Sequence, residues 1–164
     1  MLGCAGGGDV AKVDVPPHDV APQIAATCVV TRIVDGDTFT CRGGRRVRLL
    51  LIDTPELSQG GAGQLASATL QRIAPPGTSL GLEYDVRRRD DFDRTLAYAW
   101  LDERTMLNEA LLAAGVAVVE VYPPNVKYVD RFRAIHRDAE RARVGLWASD
   151  AFRCTPRDHR RGRC

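Results

Sequence analysis

The chain has 164 residues, 45% of them hydrophobic, with 23 Lys and Arg against 21 Asp and Glu for a net charge of +2. That composition excludes a wholly disordered chain, and the length suits one domain that buries a core without metal or disulfide staples. The longest apolar run, Ala110 to Val119, contains Gly115 and is too short to cross a bilayer. The charge is unevenly spread, because Arg153 to Cys164 hold five Arg and one Asp while the body is slightly acidic. Composition alone therefore does not call for a nucleic-acid partner.

Residues 1–27 read as a flexible linker, Gly-rich from Gly3 to Gly8 and carrying Pro16, Pro17 and Pro22 without a sustained period. The opening Met1-Leu2-Gly3-Cys4 resembles the end of a bacterial lipoprotein signal, although the charged and apolar regions that should precede it are missing. One reading makes Cys4 a lipid anchor, the only membrane attachment; the other is a chance Gly-Cys in a disordered tail. Residues 28–35, CVVTRIVD, are β-branched and end in Asp35-Gly36, a hairpin signal, after which DTFTCR returns as a second strand. Gly43-Gly44 turns the chain again into RRVRLLLID over 45–53, where the run Leu49 to Ile52 predicts burial on both faces. Helical spacing of Leu65, Ala66, Thr69, Leu70 and Ile73 follows until Pro75-Pro76. Two alternating strands, LGLEYDV and TLAYAWL, precede a helix over 105–114 capped by Gly115. A last helix over 128–142 carries Tyr128, Phe132, Ile135 and Ala139 as one stripe.

The predicted class is α+β, mainly β: a five-stranded OB-fold barrel with three helices, in the order βββαββαα. The domain runs over 28–150, followed by a basic tail over 151–164. Setting Cys4 aside, Cys28, Cys41, Cys154 and Cys164 form no C-x-x-C pair, so a zinc site is disfavoured, and an even count suits an exported protein with disulfides. Hairpin geometry argues against Cys28–Cys41: residue 41 should lie opposite residue 31, leaving residue 28 roughly 10 Å along the strand, where a bridge needs Cα atoms within about 7 Å. Cys28–Cys154, at the two ends of the domain, is the more natural pairing.

Three stretches could carry chemistry, and each alone has a plain explanation. Asp35-Gly36-Asp37 is a turn signal. Asp53-Thr54-Pro55-Glu56 could begin a helix. The charged run Arg87 to Arg94 could be a solvated loop between strands.

Taken together, and in this order, they resemble the staphylococcal nuclease (thermonuclease) family. The matching stretches are Val34-Asp35-Gly36-Asp37-Thr38, Val47-Arg48 through Asp53-Thr54-Pro55-Glu56, and Asp90 through Arg94 into Leu96-Ala97-Tyr98. Asn108-Glu109-Ala110-Leu111 and Gly145-Leu146-Trp147 add support, and the likeness covers about residues 28 to 150. The resemblance implies a calcium-dependent nuclease that cuts DNA and RNA phosphodiesters at the bond to the 5′ oxygen. Calcium would be bound by Asp37, Asp53 and the backbone carbonyl of Thr54. Glu56 would be the general base, Arg48 and Arg94 would hold the phosphate, and Asp35 would shape the turn or hold a metal-bound water.

Those roles make physical sense. A hard cation on oxygen ligands orients a phosphate and withdraws its charge, guanidinium forks match phosphate oxygens, and a free carboxylate takes a proton from water. A ligand set without His or thiolate favours calcium or magnesium over zinc. Single-stranded DNA and RNA are the favoured substrates, with duplex DNA a further one, and the protein is expected to act as an exported monomer. The alternative is a non-catalytic module of the same fold that binds nucleic acid or protein.

Two points stand against a simple transfer. Strict strand alternation puts Arg48 and Asp53 on opposite faces, so the strand must twist, bulge or end early. The family's Lys-Tyr-Gly run before the second active Arg is Asp91-Phe92-Asp93 here, and Glu120 replaces one of two tyrosines while Tyr122 keeps the other. Phe92 and Tyr122 remain as rings against the substrate. A like charge at ~4 Å costs about 1 kcal/mol in water and ~4 at an effective dielectric of 20, so Asp91 and Asp93 should weaken phosphate binding. Arg157, Arg160, Arg161 and Arg163 of the tail could compensate by touching the polyanion.

Overall fold

The computed structural model describes residues 12–164, so Cys4 and the lipid-anchor reading lie outside the described residues. The β-branched start folds as β1 (Ala26–Ile33), and Asp35-Gly36 turns the chain into β2 (Thr38–Cys41). Gly43 and Gly44, both at φ 85°, lead into β3 (Arg46–Leu49). The ladder breaks at Leu50-Leu51, where Leu51 takes φ 61°, and β4 (Ile52–Asp53) sets off in a new direction. Then follow α1 (Gly61–Ile73), β5 (Ser79–Glu83), β6 (Thr95–Trp100), α2 (Leu107–Ala113), β7 (Val118–Val119), α3 (Val129–Arg141) and a short α4 (Pro156–Arg160).

Five strands close a barrel in the order β1-β2-β3-β6-β5, with β3 and β6 parallel and the other neighbours antiparallel. This is the expected OB-type barrel with its three main helices. Phe39, Val47, Leu49, Leu80, Leu82 and Ala97 are buried in its core. Tyr98 and Trp100 of β6 are also buried, with Tyr98 packed edge-on against Tyr128 and Phe132 at the start of α3. The pair β4–β7 and the helix α4 are additions to the expected order.

The run Leu49 to Ile52 is buried throughout, as its composition predicts, but not as one continuous strand. Leu50 donates to the Ala97 carbonyl at 3.0 Å and its own carbonyl accepts from the Asn108 side chain at 2.9 Å. Leu51 accepts the N–H of Glu120 at 3.1 Å. These bonds satisfy the backbone where it leaves the ladder.

Three expectations are corrected. The first is the disulfide pattern, which joins Cys28 to Cys41 and Cys154 to Cys164. A bulge between Val30 and Arg32 moves Cys41 opposite Val30 rather than residue 31. That bends β1 and brings the Cα atoms of Cys28 and Cys41 to 5.3 Å. The second concerns the linker. β1 already pairs at Ala26 and Thr27, and the preceding stretch packs on the domain through a bond from the Val13 N–H to the Ala113 carbonyl at 3.0 Å. His18, at 3.1 Å from Glu109, is buried against Trp100 and Tyr128, and the Pro16 carbonyl accepts from Arg131. The third is the tail, which is folded around α4 and closed by its own disulfide.

The pair β4–β7 is held from behind by α3. The N–H of Val119 donates to His136 Nδ1 at 3.0 Å, which requires an unprotonated Nδ1. Burial holds the folded His136 below its ordinary value of 6.5, so the unfolded chain binds the proton first. The contribution of the neutral ring is complete above about pH 6.5 and is lost as pH falls below it. Urea midpoints should therefore fall for the wild type between about pH 7.5 and about pH 5, and fall less for His136→Gln, whose amide oxygen accepts the same N–H without titrating. An equal fall in both proteins would reject this role for His136.

Candidate active site

Every candidate site residue lines one open cavity of about 660 Å³: Asp35, Asp37, Arg48, Asp53, Thr54, Glu56, Phe92, Arg94 and Tyr122. The β1–β2 turn supplies Asp35 and Asp37, with Asp35 Oδ1 accepting the Asp37 N–H at 3.0 Å. Gly36 lets that turn press on its neighbours, since a Cβ there would meet Thr54 Oγ1 at 2.6 Å and the Ala66 Cβ at 2.7 Å. Arg48 comes from β3. Asp53 comes from β4, and the break at Leu51 is what returns it to the same hollow as Arg48.

Arg48 is clamped between the two aspartates. Its Nη2 donates to Asp53 Oδ1 at 3.0 Å, and its Nε forms an ion pair with Asp37 Oδ1 at 3.0 Å. Nη1 donates to the carbonyls of Leu49 and Ile52 at 2.6 and 2.8 Å. One Nη2–H is left unused among the described residues. Asp37 in turn accepts from the Thr38 hydroxyl and from the N–H and hydroxyl of Thr54 at 3.0–3.1 Å. Burial disfavours the charge on Arg48, but Asp37, Asp53 and Asp35 outweigh it and hold the guanidinium above its ordinary value.

Arg94 is fixed by Asp90, which accepts its Nε at 2.6 Å and its N–H at 2.9 Å. Its two terminal amino groups have no partner among the described residues and remain for the cavity. The guanidinium also lies over the Phe92 ring, 5.4 Å from its centroid. Phe92 and Tyr122 are exposed at the rim.

Around Arg48 the carboxylates of Asp35, Asp37, Asp53 and Glu56 face two guanidiniums, those of Arg48 and Arg160. Two negative charges are in excess, the amount a divalent cation balances. Burial, and then the neighbouring charge of Asp37, push the Asp35 carboxyl up to about 6. Burial likewise raises Asp53 against the pull of Arg160 and Arg48. The cavity lining contains no His or Cys among the described residues. No three acidic, His or Cys side chains converge into a cage among the described residues. The donors thus fit a hard cation resting on two carboxylates, the Thr54 carbonyl and water.

Arg160 is the site residue that sequence reasoning placed elsewhere. Expected to touch polyanion from a loose tail, it forks onto Asp53 and reaches Glu56. One signal was present: Thr155-x-x-Asp158 with Pro156 is a helix-start pattern inside the supposed tail. The acidic substitutions at the rim also behave differently from expectation. Asp91 pairs with Arg87 at 2.5 Å, Asp93 pairs with Arg89, and Glu120 pairs with Arg157 at 3.0 Å. Their charges are offset by local partners rather than left facing the site.

Residues 46–149 match the family described as Staphylococcal nuclease homologue. Endonuclease YncB of Bacillus subtilis (strain 168) is 34% identical over 146 residues, covering 83% of this chain and 68% of the relative. The SPbeta prophage-derived endonuclease YokF of the same organism is 37% identical over 131 residues, covering 74% of this chain and 44% of the relative. The thermonuclease of Staphylococcus hyicus is 33% identical over 131 residues, covering 75% and 76%.

Glu56 is set by backbone contact with α1. A Cβ on Gly63 would meet the Glu56 carbonyl oxygen at 2.1 Å, so no side chain fits there unless Glu56 moves. Gly63→Ala should cost about 1–3 kcal/mol of stability and lower any turnover that depends on Glu56 by about 10- to 100-fold. Urea unfolding together with steady-state rates would check both, and unchanged rates would show that the position of Glu56 is unimportant.

Proposed function

Because the chain belongs to the staphylococcal nuclease family, we propose that it is a calcium-dependent nuclease that hydrolyses DNA and RNA, breaking the bond to the 5′ oxygen and leaving 3′-phosphate ends. The observation that carries this reading is the convergence of Asp37, Asp53, Glu56, Arg48 and Arg94 on one cavity from four separate stretches of chain.

Asp37, Asp53 and the Thr54 carbonyl would hold the cation, which when bound supplies orientation and charge withdrawal to the phosphate. Arg48 is already oriented by three hydrogen bonds and an ion pair and offers its remaining Nη2–H to a phosphate oxygen, so little ordering entropy is lost on binding. Arg94, braced by Asp90, offers two amino groups where negative charge grows as the fifth oxygen approaches phosphorus. Glu56 accepts the proton of the attacking water, and the 5′ oxygen leaves with the bonding electron pair. The exposed Phe92 and Tyr122 rings suit stacking by unpaired bases, which favours single-stranded substrates. Two disulfides support an oxidising location outside the cytosol.

Degradation of single-stranded DNA should require calcium and stop with a chelator. Glu56→Ala should lower kcat by about 10²–10⁴ and Arg94→Ala by about 10²–10³, each without unfolding the protein. Cutting that persists undiminished in Glu56→Ala removes that residue from its role. A well-folded wild type that binds single-stranded DNA but never cuts it would be a binding module instead.

A further inference from the structure

Residues 154–164 form a closed loop. The Cys154–Cys164 disulfide joins its ends, with Cα atoms 5.7 Å apart, and α4 sits inside it. Thr155 caps α4, its Oγ1 accepting the Asp158 N–H at 3.1 Å. Three contacts seat the loop on the rim of the cavity. Arg157 Nη1 meets Glu120 Oε1 at 3.0 Å, Ser58 Oγ meets His159 Nε2 at 2.9 Å, and Gln59 Nε2 donates to the Cys154 carbonyl at 3.1 Å. The last two land on the turn that follows Glu56.

From this base Arg160 enters the cavity and turns toward carboxylates. Nη1 and Nη2 span both oxygens of Asp53 at 3.1 and 2.6 Å, and Nη1 also meets Glu56 Oε1 at 2.8 Å. Asp53 Oδ1 already accepts from Arg48 at 3.0 Å. The fork therefore leaves Asp53 little lone-pair capacity and sets a positive charge on the two groups that the nuclease reading needs free. A lone guanidinium in water holds a carboxylate weakly. Tethering it through a folded, cross-linked loop raises its effective concentration at the site.

Resting on the reading of Asp53 as a cation ligand and Glu56 as the base, we propose that the loop 154–164 is a latch whose Arg160 occupies Asp53 in place of the divalent cation and must be displaced for the cation to bind. The apparent cation affinity is then the intrinsic affinity reduced by the fraction of molecules in which the latch is open. The disulfide sets that fraction by limiting how far Arg160 can stray.

Calcium chloride titrated calorimetrically into the intact protein, without nucleic acid, reads this directly. Arg160→Ala should bind calcium with a Kd at least about tenfold lower than the wild type. The double variant Cys154→Ser, Cys164→Ser should shift the same way, because the tether is loosened. Arg161→Ala removes one charge from the same loop without touching Asp53, and should leave the Kd unchanged. Arg160→Lys keeps the charge but cannot fork across both oxygens, so it should give a smaller shift in the same direction even if the alanine variant folds poorly. Equal calcium Kd values in folded wild type and Arg160 variants overturn the latch and leave the cation reading standing. Weaker binding in Arg160→Ala also overturns it, making Arg160 a support of the site. No calcium binding by any of these proteins removes the cation reading, and the latch with it.

Discussion

A guanidinium held out of water between two carboxylates is the constraint that the rest of this fold serves. The side chains of Arg48, Asp37 and Asp53 are only 13%, 6% and 2% exposed. Charges so poorly hydrated cost several kcal/mol each to bury and are tolerable only with near-complete pairing. Arg48 makes three hydrogen bonds and an ion pair with Asp37, and Asp37 accepts three hydrogen bonds besides that pair. Removing one partner from such a set typically costs about 3–5 kcal/mol, because the others are left as unpaired buried charge. The cluster therefore locks three chain segments together: the β1–β2 turn, the end of β3, and β4.

The scaffold delivers those segments by breaking a regular pattern at one place. If β3 ran on through Asp53, alternation would send Arg48 and Asp53 to opposite sides. The chain leaves the barrel at Leu50-Leu51 instead, and the abandoned backbone groups find Asn108, Ala97 and Glu120. Asn108 is fully buried, and it spends its two side-chain ends on the Leu50 carbonyl and the Ala99 N–H. The parallel pairing of β3 with β6 sets Val47 opposite Thr95, which places Arg94 at the same end of the barrel as the cluster. Two cations are brought near one hollow without mutual destabilisation because each arrives with its own carboxylate: Arg94 with Asp90, Arg48 with Asp37 and Asp53.

What could be read from the sequence divides along physical lines. The barrel strands and main helices declare themselves through periodicity and Gly or Pro punctuation, so their order and approximate limits agree with the structure. The charged candidates that line the cavity, Asp35, Asp37, Arg48, Asp53, Glu56 and Arg94, were also legible, because each lies in a short local pattern next to a turn or strand end. Features that depend on one displaced residue were not. The bulge near Thr31 reverses the disulfide argument for Cys28 and Cys41, and nothing local marks it. The placement of Arg160 depends on closure of a loop by two cysteines whose pairing four candidates leave open. The packing of His18 on Glu109 and Trp100 is invisible in a Pro-rich stretch, because a long-range contact has no period.

The rim shows why single substitutions mislead when a family pattern is carried onto a new chain. Asp91, Asp93 and Glu120 each look like an added negative charge at a phosphate site. In the fold each has a guanidinium within ion-pair distance, supplied by Arg87, Arg89 and Arg157. The first two pairs are highly exposed and contribute little to stability. Their effect is on the field instead. Beyond the screening length of about 10 Å at 0.1 M salt, each pair looks neutral to an approaching polyanion. The charge left unbalanced is therefore the inner surplus around Arg48, where burial weakens screening. Glu120 differs from the other two because its partner belongs to the loop that carries Arg160. A change at Glu120 thus bears on the site through the seating of that loop as well as through its own charge.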